Sequence, residues 1–371
     1  MSKNKTTSMK SNKVSYLLIL ISFLFALFAT ELLLRNYYDK YSNKYWLERY
    51  NVFQEGKVFQ NFDNFFKYFP NKSILLETYY YIEENFIKEY SYTIKTNNFG
   101  LVQENNIQKK KPSILFLGDS ITEGQGAFSW IDKFNGSFKN LQIINGGILG
   151  TGPEQFELME NHISKNFDVK KVIVIYIGSD LRRGIWTVPK KTMKCLNNHQ
   201  ICNGDERFYG FPFGKKPIIP FLTKLQKYRS KKLKKNKSFN SIKKIRRKIR
   251  FFLKDLYIFK LPESVIKKKF YKSKNKEIIN SFKSLNKLFI KYQENIIFIR
   301  IMTKNETINN KATYESVYTE NYIKEFTNKH FTCDFDGDSK SFHKYDTHPN
   351  AFGYNKLYKC VKEIISKNFD Y

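Results

Sequence analysis

The sequence predicts an α/β protein: a three-layer α/β/α domain with a mostly parallel sheet, preceded by one transmembrane helix. Four short apolar runs, at residues 113–117, 141–144, 171–177 and 295–301, have the length and composition of buried parallel strands. Stretches with helical patterning separate or follow them, at about residues 127–138, 153–166, 276–292 and 351–366. Strands that alternate with helices indicate a parallel sheet covered on both faces, with its site at the carboxyl ends of the strands.

The apolar run at residues 14–34 is the predicted transmembrane helix. Glu31 is its only charge, and about 20 apolar residues in helical form span a bilayer core. A secretory signal has a shorter apolar stretch followed by a small-x-small cleavage site, so we expect an uncleaved anchor here. Lysines but no acidic residues precede the run. This predicts a cytoplasmic N-terminus and an extracytoplasmic body, in the periplasm or at the cell surface.

These boundaries divide the chain into four segments. A cytoplasmic tail (1–13) and the anchor (14–34) are followed by a juxtamembrane segment (35–105) and the α/β domain (106–371). The juxtamembrane segment is rich in Tyr, Phe and Asn without helical periodicity, which predicts short strands.

A basic insertion, residues 181–275, interrupts the alternation of strands and helices. The whole chain has 65 Lys and Arg against 34 Asp and Glu, a net charge of +31, and residues 224–250 hold fourteen basic residues and no acidic one. Apolar residues at helical spacing accompany them: Ile242, Ile245, Ile249 and Phe252. This pattern is typical of a basic amphipathic helix that binds an anionic lipid surface or an anionic glycan. A solvated, Lys-rich surface is the alternative, and we expect no nucleic-acid partner outside the cell.

The cysteines are interpreted from the predicted compartment. An exported domain faces an oxidising environment, so Cys195 and Cys202 are expected to form a disulfide that closes a surface loop. With His199 between them they could suggest a metal site, but no convincing fourth ligand follows, and we predict no metal. Cys333 and Cys360 could form a second bridge, although spacing alone does not define the pairing.

A serine, Ser120, directly follows the first predicted strand in the run Gly118-Asp119-Ser120. It is not part of a G-x-S-x-G elbow, because residue 122 is Thr. Its glycines are also wrongly spaced for a phosphate-binding loop. A serine at a strand-to-helix turn can act as a nucleophile, because the helix N-terminus and backbone N–H groups can stabilise an oxyanion.

A serine nucleophile needs a base, and the base needs a carboxylate that orients it. Of the five histidines, His348 lies just before the final predicted helix, two residues after Asp346. Residues two apart in an extended segment point the same way, so Asp346 can bond the ring nitrogen remote from Ser120. His343 is the runner-up for the base.

Four blocks in this order, GDSITEG, NGGILG, GSD and DTHPNAFGY, resemble those of the SGNH (GDSL-type) hydrolases. The resemblance implies a flavodoxin-like three-layer fold and an ester-cleaving serine site that needs no cofactor. It implies that Ser120 is the nucleophile and His348 the base. By the same resemblance, the backbone N–H groups of Ser120 and Gly147 are expected in the oxyanion hole. The family's third block supplies an Asn side chain, whereas this chain has Ser179 and Asp180 there. Ser179 is the expected third donor, because a hydroxyl can donate a hydrogen bond and an ionised Asp cannot.

The last block has D-x-H spacing in place of the usual D-x-x-H, which is similar to the exopolysaccharide O-acetyltransferase branch. The resulting hypothesis is a membrane-anchored serine esterase that cleaves or transfers an O-acyl group, in particular O-acetyl, of a carbohydrate or lipid. An O-acetyltransferase for a cell-surface polysaccharide is the first alternative. A non-catalytic module that binds an anionic glycan or a membrane surface is the second.

Overall fold

The computed structural model describes residues 6–38, 48–62, 64–138, 140–204, 206–207, 217–237 and 276–369. Its first helix, α1 (Thr6–Tyr38), contains one stretch, Ser15–Leu33, that is long and apolar enough to cross a membrane. The helix belongs to a different compact unit from the sheets, which lie within residues 47–234 and 274–371.

A five-stranded, all-parallel sheet forms the centre of the second unit. Its strands are β6 (Ser113–Gly118), β7 (Gln142–Gly147), β8 (Val169–Tyr176), β10 (Ile296–Ile301) and β11 (His330–Cys333), in the order β11-β10-β8-β6-β7. Every residue of β6 and β10 is buried. The four apolar runs predicted as strands are β6, β7, β8 and β10, and the predicted parallel sheet is confirmed.

Helices pack against this sheet. The short α2 (Ser120–Glu123) follows β6, and α3 (Pro153–Ser164) contacts both β6 and α6 (Lys276–Tyr292). The C-terminal helix α9 (Ala351–Asn368) contributes Leu357 and Val361 to a buried cluster with alternate residues of β6, β8 and β10. Residues 127–138, predicted to be helical, contain only a 3₁₀ turn, Trp130–Phe134. The remaining helices of this unit are α4 (Lys190–Asn197), α5 (Leu222–Lys237), α7 (Lys304–Asn309) and α8 (Tyr314–Lys324).

A second, four-stranded sheet is built mainly from the segment predicted as juxtamembrane. It consists of β1 (Glu48–Phe53), β4 (Ser73–Ile82), β5 (Asn85–Lys95) and β9 (Ile218–Ile219), in the order β5-β4-β1-β9. The β1–β4 and β4–β5 pairs are antiparallel, and a separate antiparallel pair joins β2 (Phe59–Asn61) to β3 (Phe66–Tyr68). The two long strands, β4 and β5, differ from the short strands expected there.

Part of the basic insertion is described and packs on the second sheet. Strand β9 pairs with β1, and Leu225 and Tyr228 of α5 lie in a buried cluster with Tyr50 and Val52. The four apolar residues of the predicted amphipathic helix, 242 to 252, lie outside the described residues. The described residues contain two disulfides: Cys195–Cys202 within this insertion and Cys333–Cys360 between β11 and α9.

Candidate active site

Ser120 lies at the tight turn between β6 and α2. Asp119 caps the helix, since its Oδ1 accepts a hydrogen bond from the N–H of Ile121 at 2.9 Å. Glycine is required at position 118, just before Asp119, because a Cβ there would lie 1.9 Å from Thr122 Oγ1. Ser120 is 5% exposed. The turn therefore holds the hydroxyl at the carboxyl end of the sheet, where the sequence predicted it.

The structure brings Ser120, His348 and Asp346 together. His348 Nε2 lies 2.8 Å from Ser120 Oγ, and His348 Nδ1 lies 2.8 Å from Asp346 Oδ1. Each ring nitrogen thus has one partner, the hydroxyl on one side and the carboxylate on the other. This geometry lets the imidazole take a proton from the hydroxyl while the carboxylate holds its tautomer.

The alternative base, His343, faces elsewhere. Its Nε2 is 3.0 Å from the carbonyl oxygen of Gly126, and its ring packs 4.4 Å from the ring of Tyr90, measured between centroids. Burial lowers the pKa of His343, although the charge of Asp346 opposes this shift. The ring of His343, bonded to a backbone carbonyl, therefore has a structural role.

Sequence reasoning missed the residues of the second sheet that contact Asp346, among them Arg49, Tyr90 and Tyr80. Arg49 NH1 lies 3.1 Å from Asp346 Oδ2, and the Tyr90 hydroxyl donates to the same oxygen at 2.7 Å. Both side chains are buried. They belong to no motif, and the only local signal is an arginine among the aromatic residues of a strand.

Gly147, a predicted oxyanion donor, lies at the end of β7. Its N–H already donates to Asn145 Oδ1 at 3.0 Å. The Asn145 side chain thus bonds the backbone two residues further along, as Asn side chains commonly do at turns. The hydrogen bond to Asn145 competes with the expected role of Gly147 as an oxyanion donor, and that role stays a prediction.

The loop after β7 contains a second glycine, Gly150. Its φ of +75° suits glycine, and among the described residues nothing accepts its N–H. The neighbouring N–H groups are committed: Ile148 to Gly118 O at 3.1 Å, Leu149 to Glu123 Oε2 at 2.6 Å, and Thr151 to Ile148 O at 3.4 Å. The Ser120 N–H, at the first turn of α2, likewise meets no acceptor in the described part of the chain.

The third block forms a 3₁₀ turn, Gly178–Arg182, directly after β8. Ser179 is half-buried there, and no described group is hydrogen-bonded to its hydroxyl. Arg183 NH1 bridges two carboxyls, at 2.6 Å from Asp180 Oδ1 and 2.7 Å from Asp119 Oδ2. Burial raises the pKa of Asp180 well above its usual range; Arg183 opposes the shift and Asp119 adds to it. Arg183 and burial thus act on the Asp180 carboxyl in opposite directions.

Glu123 is a second buried carboxyl on this side of the site. Its Oε2 accepts from the Leu149 N–H, and its Oε1 accepts from the Tyr68 hydroxyl at 3.0 Å. Burial raises its pKa to about 8, against the lowering effect of these two hydrogen bonds. Glu123 thus ties the loop that carries Gly150 to the helix that carries Ser120.

The described residues contain no group of three or more His, Cys, Asp or Glu side chains that could hold a metal ion. His199, considered as a ligand with Cys195 and Cys202, lies beside two cysteines that are bonded to each other. Its ring packs edge-on against Phe221, 4.5 Å away between centroids.

No protein-family model matches the chain, and no curated protein does. Solved structures that resemble it include a member of the lipolytic protein G-D-S-L family from Veillonella parvula, 12% identical, with a TM-score of 0.33. That match covers 69% of this chain and 99% of the other.

A GDSL-like lipase from Bacteroides thetaiotaomicron is 14% identical, with a TM-score of 0.31 over 69% of this chain and 89% of that one. A family two carbohydrate esterase from Cellvibrio japonicus is 9% identical, with a TM-score of 0.27 over 86% and 99%. The basis for a function is therefore the arrangement of side chains at Ser120.

Proposed function

We propose that this chain is a serine esterase of the SGNH type that acts on an O-acyl ester, in particular an O-acetyl ester, of a carbohydrate or lipid. The observation that carries the proposal is the continuous hydrogen-bonded series from Ser120 through His348 to Asp346, with 2.8 Å at each link. A hydroxyl, an imidazole and a carboxylate in this order are the parts needed for nucleophilic acyl transfer.

The reaction starts with attack of Ser120 Oγ on the ester carbonyl carbon. The hydroxyl proton moves to His348 Nε2, and the carbonyl oxygen becomes an oxyanion that the N–H groups of Ser120 and Gly150 stabilise. Collapse of this intermediate expels the alcohol, which takes the proton from His348. An acceptor hydroxyl then attacks the acyl-serine in the same way, with His348 as its base.

The acceptor decides between the two enzyme activities. Water gives an esterase, whereas a sugar hydroxyl gives an O-acetyltransferase for a cell-surface polysaccharide, and both reactions use the same residues. Purified protein is assayed on p-nitrophenyl acetate with and without sugar acceptors, and Ser120 is labelled with a fluorophosphonate. We expect turnover and labelling that Ser120→Ala abolishes. Turnover that survives Ser120→Ala, or a failure of the unchanged chain to turn over or be labelled, would reject the enzyme proposal.

The apolar stretch of α1 anchors the protein in this proposal, with the N-terminus in the cytoplasm and the catalytic residues outside. Lysines before the stretch and the two disulfides after it support this orientation. A phosphatase reporter fused after Tyr371 should be active. Activity of a cytoplasmic reporter in its place would overturn the orientation.

A second candidate function, binding of an anionic lipid surface or glycan by residues 224–250, has support from α5. Leu225 and Tyr228 face the buried cluster, and the side chains of Lys227, Lys231 and Lys234 are exposed. Binding to vesicles that contain phosphatidylglycerol should fall steeply with salt. Binding that does not change with salt would identify α5 as an ordinary solvated surface.

A further inference from the structure

The second sheet sends one arginine into the site from a strand distant in sequence. Arg49 of β1 is 8% exposed, and its NH1 lies 3.1 Å and 3.3 Å from the two oxygens of Asp346. Its other terminal nitrogen, NH2, donates to the Tyr90 hydroxyl. The guanidinium therefore contacts the carboxylate and the tyrosine that flanks it.

Tyr90 of β5 completes this contact. Its hydroxyl donates to Asp346 Oδ2 at 2.7 Å and accepts from Gln125 Nε2 at 3.2 Å, in addition to Arg49. Burial raises the pKa of Tyr90 well above its usual value, against the opposing charge of Arg49, so the phenol keeps the proton that it donates. Tyr90 thus sets the position of one carboxylate oxygen.

The other oxygen of Asp346 holds the imidazole. Asp346 Oδ1 accepts from His348 Nδ1 at 2.8 Å and from the Thr347 N–H at 2.7 Å. Rotation of the carboxyl group would break the bond to His348, and the Tyr90 and Arg49 contacts at Oδ2 oppose that rotation. A carboxylate this deeply buried also needs a counter-charge, because an unpaired buried charge costs several kcal/mol. Arg49 provides that charge.

We propose that Arg49 and Tyr90 are positioning residues for the triad, which makes the second sheet part of the active site. The inference rests on the proposed esterase function. Arg49 acts through Asp346: it balances the charge of the carboxylate and holds it in the rotamer that orients His348, and it does not touch the substrate.

A double-mutant cycle tests this route, because it separates action through Asp346 from a general effect on folding. Arg49→Met should lower kcat for p-nitrophenyl acetate about 100-fold with KM little changed. Arg49→Lys should recover about tenfold of that loss, since it restores the charge but not the two-point contact. In an Asp346→Asn background, Arg49→Met should change the rate of fluorophosphonate labelling of Ser120 less than about threefold.

Arg300 provides the matched control. It is 6% exposed and lies 3.5 Å from Glu306 and 3.3 Å from Glu320, two carboxylates outside the triad. Arg300→Met should destabilise the protein as Arg49→Met does, but leave kcat within about threefold. If both variants reduce kcat equally, or if Arg49→Met is as damaging without Asp346 as with it, the positioning role is wrong.

Tyr90→Phe keeps the ring and removes only the donor, so it answers the question even if Arg49→Met does not fold. We expect kcat to fall about tenfold with KM little changed, and the urea midpoint to fall less than in Arg49→Met, because the buried charge of Asp346 keeps its arginine. Unchanged kcat in Tyr90→Phe would overturn the proposal for this residue. Absence of Ser120-dependent turnover in the unchanged chain would instead reject the esterase function. A failure of that function and a failure of the positioning role are therefore distinguishable.

Discussion

The parallel sheet and the second sheet meet at Asp346 and His348, and they contribute to the site in different ways. The parallel sheet supplies a turn: Ser120 and the backbone N–H groups around it take their positions from strand ends and loops. The second sheet supplies side chains, Arg49 near the start of β1 and Tyr90 in the middle of β5. A tight turn needs particular residue types at fixed spacing, so it can be recognised in the sequence. A side chain that projects from a strand can come from almost any sequence.

The two sides also treat buried carboxyls differently. On the parallel-sheet side, burial raises the pKa values of Asp180 and Glu123, and these groups are held toward the neutral form. On the second-sheet side, Asp346 is paired with a buried guanidinium. On the parallel-sheet side, Asp119 and Asp180 share one guanidinium, that of Arg183, whereas on the second-sheet side Arg49 pairs with the Asp346 carboxylate.

The largest effect is expected at Ser120 and His348, the proposed nucleophile and base. Ser120→Ala and His348→Ala should each lower kcat about 10⁴-fold, and the double variant should be no worse, because the groups act as one unit. Kinetics on p-nitrophenyl acetate measure this. His343→Ala serves as the control and should retain most activity. A larger loss of kcat in His343→Ala than in His348→Ala would show that His343, and not His348, is the base.

The raised pKa of the buried Glu123 carboxyl can be tested by the pH dependence of stability. Because its folded-state pKa is about 8 and its unpaired value about 4.5, the folded protein binds the proton more tightly, and its stability falls as pH rises between these values. Glu123→Gln removes this dependence. The free energy of unfolding of the unchanged protein, relative to this variant, should drop roughly 3 kcal/mol between pH 5 and pH 8. Urea unfolding measures it, and parallel profiles for the two proteins would contradict it.

Asp180 tests the same idea by activity. An amide is similar in shape to a protonated carboxyl and can donate to Asp119, so Asp180→Asn should keep kcat within about threefold. Asp180→Ala leaves Asp119 and Arg183 without that partner and should lower kcat roughly 30-fold. Equal losses in both variants would mean that the site needs the charge of Asp180.

Ser179 decides whether the parallel-sheet side has a third oxyanion donor. A hydroxyl rotates and holds its hydrogen bond less firmly than a backbone N–H, so Ser179→Ala should lower kcat about tenfold, with the fold intact. Ser179→Asn should keep or raise activity if the amide fits. If kcat does not change in Ser179→Ala, the hole has two donors, Ser120 and Gly150.

The smallest effect is expected at Tyr92, two residues after Tyr90 on β5. Its hydroxyl is buried and has no hydrogen-bond partner among the described residues. Tyr92→Phe should leave kcat unchanged and raise the free energy of unfolding by up to about 1 kcal/mol, since the desolvated hydroxyl is removed. Thermal unfolding measures the change. A loss of activity in Tyr92→Phe would extend the role of the second sheet beyond Arg49 and Tyr90.

Much of the parallel-sheet side follows from local patterns. Apolar runs predict β6, β7, β8 and β10, because a strand buried on both faces is apolar at successive positions. Ser120 follows from a strand-to-helix turn, and Asp346 and His348 from a spacing of two in extended chain. These features depend on residues close together in sequence, so the chain can be interpreted there without its fold.

The rest depends on which groups meet in three dimensions. Arg49 and Asp346 are 297 residues apart, and nothing local to β1 shows that its arginine meets a carboxylate. Gly147 and Gly150 lie in the same block, and only the structure shows that the Gly147 N–H bonds the Asn145 side chain, whereas no described residue accepts the Gly150 N–H. Hydrogen bonds and ion pairs are short-range and directional, so tertiary packing decides which polar groups remain available at the site.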